Sequence, residues 1–167
     1  MRILGIDPGF ERLGIAVLEK TKGEKKPFDK AQGKEQVIFS ECFKTSSKLD
    51  FSERLRLIGE EVKKMIREYK PEVLAIETLF LNTNQKTVMR VAETRGVIVY
   101  EGAQARLRIF EASPPQIKMA TTGYGRANKT QINKMVKILV EIDNSKKSDD
   151  ELDAIAIALT AFAHLKV

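Results

Sequence analysis

Arg2-Ile3-Leu4-Gly5-Ile6 is an apolar run with no polar residue after its first, and it stops abruptly at Asp7, Pro8 and Gly9. Such a run reads as a strand buried on both faces of a sheet rather than as an amphipathic edge. Proline and glycine cannot continue a central strand, so the chain turns there, and Gly14-Ile15-Ala16-Val17-Leu18 returns along it as the second arm of a hairpin. Asp7 then sits at the end of a buried strand, where a carboxylate is costly unless its charge is matched. Two readings are open. Asp7 caps the turn through its own side chain, or a cation or a set of donors faces it. The acids further along the chain decide between them.

Their setting depends on charge distribution. The chain carries 29 basic and 23 acidic residues, a formal charge of +6, which fits a polyanionic partner without establishing one. From Ala112 to Val140 there is no acid at all, while Lys118, Arg126, Lys129, Lys134 and Lys137 are basic. The acids crowd instead into Glu141, Asp143, Asp149, Asp150, Glu151 and Asp153. A basic surface beside an acidic cluster suits an enzyme that grips a phosphate backbone and binds metal ions. With 167 residues, one domain of ordinary size is expected over 1–167. The single cysteine, Cys42, excludes a disulfide framework and reads as a small core residue. No apolar run reaches membrane-spanning length, and together these features predict a soluble, cytoplasmic protein.

Taken in order, Lys20 to Gln36 is lysine-rich and lacks a hydrophobic period, so it is expected to be a mobile basic loop, read either as a solvated connection or as an arm toward nucleic acid. Val37-Ile38-Phe39 and Cys42-Phe43 make a third strand. Leu55, Ile58, Val62, Met65 and Tyr69 have helical spacing, with Ser52 as the expected N-cap and Pro71 as the stop. Val73-Leu74-Ala75-Ile76 is another wholly apolar strand, and it too ends in a carboxylate, Glu77. A right-handed crossover sets it parallel and next to the first strand, which brings Asp7 and Glu77 to one edge. A helix from about Asn84 to Gln104 contains Gly96, expected where another backbone approaches closely. Leu107 to Phe110 is a last strand, a short helix containing Lys118 opens at Pro114, and Thr121 to Asn128 is a loop. Lys129 to Ile142 is helical.

The final helix, Asp149 to Leu165, is nearly apolar all round and therefore buried. Asp149 and Glu151 need only complement its macrodipole. Asp150 and Asp153 project from one face, and Asp153 is followed at once by AIAIAL. His164, at the far end, reads as a C-terminal cap rather than a catalytic base. Four carboxylates thus converge: Asp7, Glu77, Asp150 and Asp153. So close together they repel by several kcal/mol at an effective dielectric of about 20 unless cations intervene. All-oxygen ligands suit Mg²⁺ or Mn²⁺, and two such ions about 4 Å apart activate a water and stabilise a departing oxygen in phosphodiester cleavage.

With these motifs the chain resembles a known family, the RuvC-type Holliday-junction resolvases of the ribonuclease-H-like fold. The resemblance rests on GIDPG (5–9), AIETLF (75–80), ETRGV (93–97), PPQIK through GYGRANKTQI, and DELDAIAIAL (150–159), in that order along nearly the whole chain. It implies an α/β fold with a five-stranded mixed sheet flanked by helices on both faces. By that likeness Asp7, Glu77, Asp150 and Asp153 match the family's catalytic acids and ligands for two Mg²⁺ ions. Lys118 and Lys129 match basic residues beside the scissile phosphate, and Phe80 an aromatic that contacts bases at the strand crossover. Arg126 is a further candidate for DNA contact. The resemblance also implies four-way junction DNA as substrate; two symmetric nicks in opposing strands call for a homodimer, with the helix around Gly96 as the candidate interface. The likeness further implies a branch-migration helicase of the RuvA/RuvB kind as partner. The long 20–36 connection and the chain's end at Val167 depart from the family and leave that docking open. Each carry-over has a plainer alternative: Phe80 capping the core, Lys118 and Lys129 as solvated charges. Two rival functions remain, an actin-like ATPase, which would need a second domain, and a non-catalytic junction binder or other ribonuclease-H-like nuclease.

Overall fold

Alternate residues of the central strands face opposite ways, and the two apolar sets this creates divide the molecule into layers. The computed structural model describes residues 1–20, 35–79, 85–140, 142 and 147–165. In chain order these form β1 (Arg2–Asp7), β2 (Arg12–Lys20), β3 (Glu35–Lys44), α1 (Phe51–Tyr69), β4 (Val73–Glu77), α2 (Gln85–Gln104), β5 (Arg108–Ala112), α3 (Pro114–Thr122), α4 (Lys129–Leu139) and α5 (Asp149–His164). The strands make one sheet in the order β3-β2-β1-β4-β5. β1 pairs antiparallel with β2 and parallel with β4, and β4 pairs parallel with β5.

Leu4, Ile6, Ile15, Val17, Leu74 and Ile76 point to one face, where Ile58, Val62 and Met65 of α1 and Ile98 of α2 cover them. Ile3, Ala16, Leu18, Val73 and Ala75 point to the other, where α5 lies centrally with α3 and α4 beside it. Gly5 and Gly14 set the depth of α5. A methyl group on Gly5 would overlap the Ala154 carbonyl oxygen, and one on Gly14 the Asp150 carbonyl oxygen. Two missing side chains on adjacent strands therefore let the helix backbone rest directly on the sheet.

Several expectations shift. The third strand is continuous over Glu35–Lys44, because its backbone pairs with all of β2 across a bulge at Val17/Leu18. β2 also runs to Lys20, whose ammonium meets Glu35 at 3.0 Å, so both ends of the expected loop are strand. The remainder of that loop, 21–34, lies outside the described residues. Asp50, not Ser52, is the N-cap of α1, since its extended backbone already precedes the first helical residue and its carbonyl accepts from Arg54. α1 ends before Pro71 with Lys70 in the left-handed conformation. α4 stops at Leu139 rather than Ile142, and β5 runs to Ala112 because Glu77 and Ala112 still pair. Gly96 faces open space. The glycine of α2 that admits a close approach is Gly102, buried against Leu74 and Ile109.

Candidate active site

β1 and β4 are in parallel register from Ile3/Val73 to Ile6/Ile76, so the next residues, Asp7 and Glu77, end neighbouring strands at the same edge. Neighbouring strands lie about 4.8 Å apart. Above them the first turn of α5 is fixed by a capping box: Ser148 Oγ accepts from the Glu151 amide, and the Glu151 carboxylate accepts from the Ser148 amide at 2.9 Å. Glu151 also accepts from Ser40 at 2.8 Å, which ties this turn to β3. With α5 seated on Gly5 and Gly14, Asp153 is brought beside Asp7 and Glu77, while Asp150 lies over Gly14 of β2.

The electrostatics record the crowding. Burial, then the charges of Asp153, Glu77 and Asp150 in that order, push the Asp7 carboxyl up to about 7. Burial and Asp153 raise Glu77. Burial raises Asp153 too, against the pull of Lys129, whose Nζ donates to Asp153 Oδ2 at 2.9 Å. Lys129 also lies 3.8 Å from Asp149 and is itself raised by its bond to Asp153.

Asp150 is held differently. Arg12, exposed at the start of β2, donates from both Nε, at 2.9 Å, and a terminal nitrogen to Asp150 Oδ2. Cys42 Sγ donates to the same oxygen at 3.4 Å. Sequence reasoning missed both residues. Cys42 is half-buried rather than a core residue, and burial raises its thiol pKa. β2 and β3 align Gly14 with Cys42, and that register carries the thiol to the site.

Other side chains brace the frame. Arg95 donates to the Glu77 carbonyl at 3.1 Å, which accounts for the arginine of ETRGV. Arg54, buried, donates to Thr45 Oγ1 at 2.9 Å and to the Phe10 carbonyl at 3.1 Å, with its guanidinium over the Phe10 ring, and so pins the turn after Asp7.

Lys118, on α3, lines one cleft with Glu77, Lys129 and Asp153. A second hollow, on the other side of Glu77, is lined by Asp7, Pro8, Thr87 and Val91. Arg126 is exposed on the turn between α3 and α4, next to Ala127, which lines the first cleft. Phe80 lies outside the described residues. His164 is in the last turn of α5, its Nδ1 bonded to the Thr160 carbonyl at 2.8 Å.

A divalent cation fits this donor set by chemistry: Asp7, Glu77 and Asp153 offer only hard oxygens, and Lys129 offsets only part of the repulsion among their ionised forms. Among the described residues, no three such side chains stand close enough to ligate one ion as they are.

The sheet order, the acids at the ends of its central parallel pair and a helix carrying two more define the ribonuclease-H-like class. The sequence profile of "Crossover junction endodeoxyribonuclease RuvC" matches residues 3–161. Proteins of that name from Halothermothrix orenii and Thermosipho melanesiensis are 42% and 40% identical, each over 95% of this chain and over 90% and 94% of their own lengths. A solved structure of Thermus thermophilus RuvC superposes with a TM-score of 0.85 at 27% identity, covering 99% of this chain and 96% of that one. The chain belongs to the RuvC family of crossover junction endodeoxyribonucleases.

Proposed function

We propose that this chain resolves four-way DNA junctions by paired, symmetric nicking of opposing strands, in recombination and repair. Membership of the family carries the reaction class. The observation that carries the site is the convergence of Asp7, Glu77 and Asp153 at one sheet edge beneath Lys129. The T. thermophilus protein has also been solved in complex with a Holliday junction substrate; at 24% identity and a TM-score of 0.84 it shares this fold.

The family's nucleases depend on a divalent metal. In this chain Asp7, Glu77, Asp150 and Asp153 would hold two Mg²⁺ ions, with Mn²⁺ as substitute. Such ions supply an activated water and charge stabilisation for the departing oxygen. Lys118 and Lys129 neutralise the phosphate between them. Lys129 does so while orienting Asp153, because one ammonium offers three donors. Arg126 and Phe80 contact DNA, Phe80 by stacking on bases. The whole of 1–167 acts as one nuclease domain.

Two nicks in opposing strands call for a twofold dimer with one site per subunit. Support for α2 as its interface comes from an exposed stripe on which Met89 is 64% and Tyr100 58% exposed, with Gly96 between them facing open space. Action in the cytoplasm fits a chain in which, among the described residues, no helix is long and apolar enough to cross a membrane. A RuvA/RuvB-type branch-migration complex is the partner this reading implies.

The test is Asp7→Asn in parallel binding and cleavage assays on a synthetic junction. Binding retained with cleavage abolished is expected. Cleavage at the wild-type rate would contradict the assignment.

A further inference from the structure

Asp150 is the one proposed metal ligand whose carboxylate is already engaged by a guanidinium. Arg12 and Cys42 donate three bonds to a single oxygen, Oδ2. Lys129 satisfies Asp153 in a similar way, but Lys129 is already part of the proposed phosphate site, whereas Arg12 is not. Arg12 sits at the start of β2, immediately after the turn that follows Asp7, and its side chain is 52% exposed while that of Asp150 is 22% exposed.

A guanidinium that aims Nε–H and a terminal N–H at one carboxylate oxygen can offer the same pair of donors to a phosphate oxygen. Arg12 lines neither of the clefts beside Glu77, but its exposed side chain is open to a backbone phosphate arriving from solvent. We infer that Arg12 is a positioning residue that holds Asp150 away from the metal position in the DNA-free protein and releases it by exchanging the carboxylate for a backbone phosphate. The inference rests on the nuclease reading above. On it, metal binding and DNA binding reinforce each other, because each removes the other's competitor for one side chain.

Mn²⁺ binding to the DNA-free protein, measured by calorimetry, reads the metal half of the exchange without any cleavage. The DNA half is read from junction affinity in EDTA at several salt concentrations. Arg12→Gln is expected to bind Mn²⁺ about three- to tenfold more tightly than wild type, the range that loss of a competing charge-assisted contact allows. Its junction affinity should depend less steeply on salt, by about one released counterion. A merely structural role for Arg12 would weaken metal binding or leave it unchanged. Should Arg12→Gln not fold, Arg12→Lys replaces the two-nitrogen fork with a point charge and is expected to tighten Mn²⁺ binding in the same direction. Unchanged or weaker Mn²⁺ binding, or an unchanged salt slope, overturns the inference. Nicking of the junction by wild type is measured alongside. Its absence would overturn the nuclease reading itself, whereas nicking with unaltered Mn²⁺ affinity in the variant overturns only the role of Arg12.

Discussion

Replacing Asp7 by asparagine is expected to stabilise the metal-free protein while it destroys the site. The Asp7 carboxyl is pushed from 3.8 to about 7, chiefly by burial and then by Asp153, Glu77 and Asp150. A carboxyl whose folded pKa lies above its unfolded value favours the protonated folded state. It therefore costs stability as pH rises, little below 3.8 and in full above about 7. A rise of that size corresponds to about 4 kcal/mol at pH 8, at about 1.4 kcal/mol per tenfold change in proton affinity. Asparagine keeps the shape and removes the charge, so a net gain of about 2–4 kcal/mol is expected at pH 8 once lost polar contacts are allowed for. At pH 4 the two proteins should differ by less than about 1 kcal/mol, because Asp7 is then protonated when folded and about half protonated when unfolded. Urea denaturation of both proteins in EDTA at pH 4 and pH 8 measures this. In melting experiments the pH 8 gain should appear as roughly 5–15 °C. Asp7→Asn being equally stable or less stable than wild type at pH 8, or showing the same difference at both pH values, would refute the crowding argument.

Three other outcomes follow from the same geometry. Gly14→Ala drives a methyl into the Asp150 carbonyl oxygen, backbone that cannot give way without lifting α5, so a loss of about 1–3 kcal/mol in denaturant unfolding is expected along with impaired cleavage. Lys118→Ala should weaken junction binding about equally for all sequences and reduce the salt slope by about one, read by electrophoretic shift at graded salt. Tyr100→Glu on the exposed face of α2 should shift the protein toward monomer in sedimentation without changing its circular dichroism; an unaltered dimer would move the interface elsewhere.

The layers and the strand-end acids were legible because burial on both faces leaves a plain trace. Arg2 to Ile6 and Val73 to Ile76 are continuous apolar runs, each closed by an acid, and the crossover rule alone sets them side by side. Asp153 stood out because an acid that opens an apolar helix has nowhere to go but the sheet edge. What stayed hidden depends on contacts that local pattern does not encode. Arg12 lies 138 residues from Asp150, and nothing in the spacing of either names the other. Cys42 reaches the site only through the β2/β3 register, which a bulge shifts. Gly96 was assigned the close approach that Gly102 makes, because both interrupt the same helix and only the direction each faces separates them. Ser52 lost the cap to Asp50 because helix ends are uncertain by one or two residues in any reading of propensity.

The central claim is that acids from both ends of the chain serve one metal-dependent cut at a DNA junction. Its most direct test incubates the protein with a synthetic four-way junction and a matched linear duplex, each with Mg²⁺ and with EDTA, and maps the ends on a sequencing gel. Paired nicks at symmetric positions, in the junction alone and with Mg²⁺ alone, are expected, and Asp153→Asn should abolish them. Cleavage that survives EDTA, or an Asp153→Asn protein that cuts as wild type does, would contradict the account.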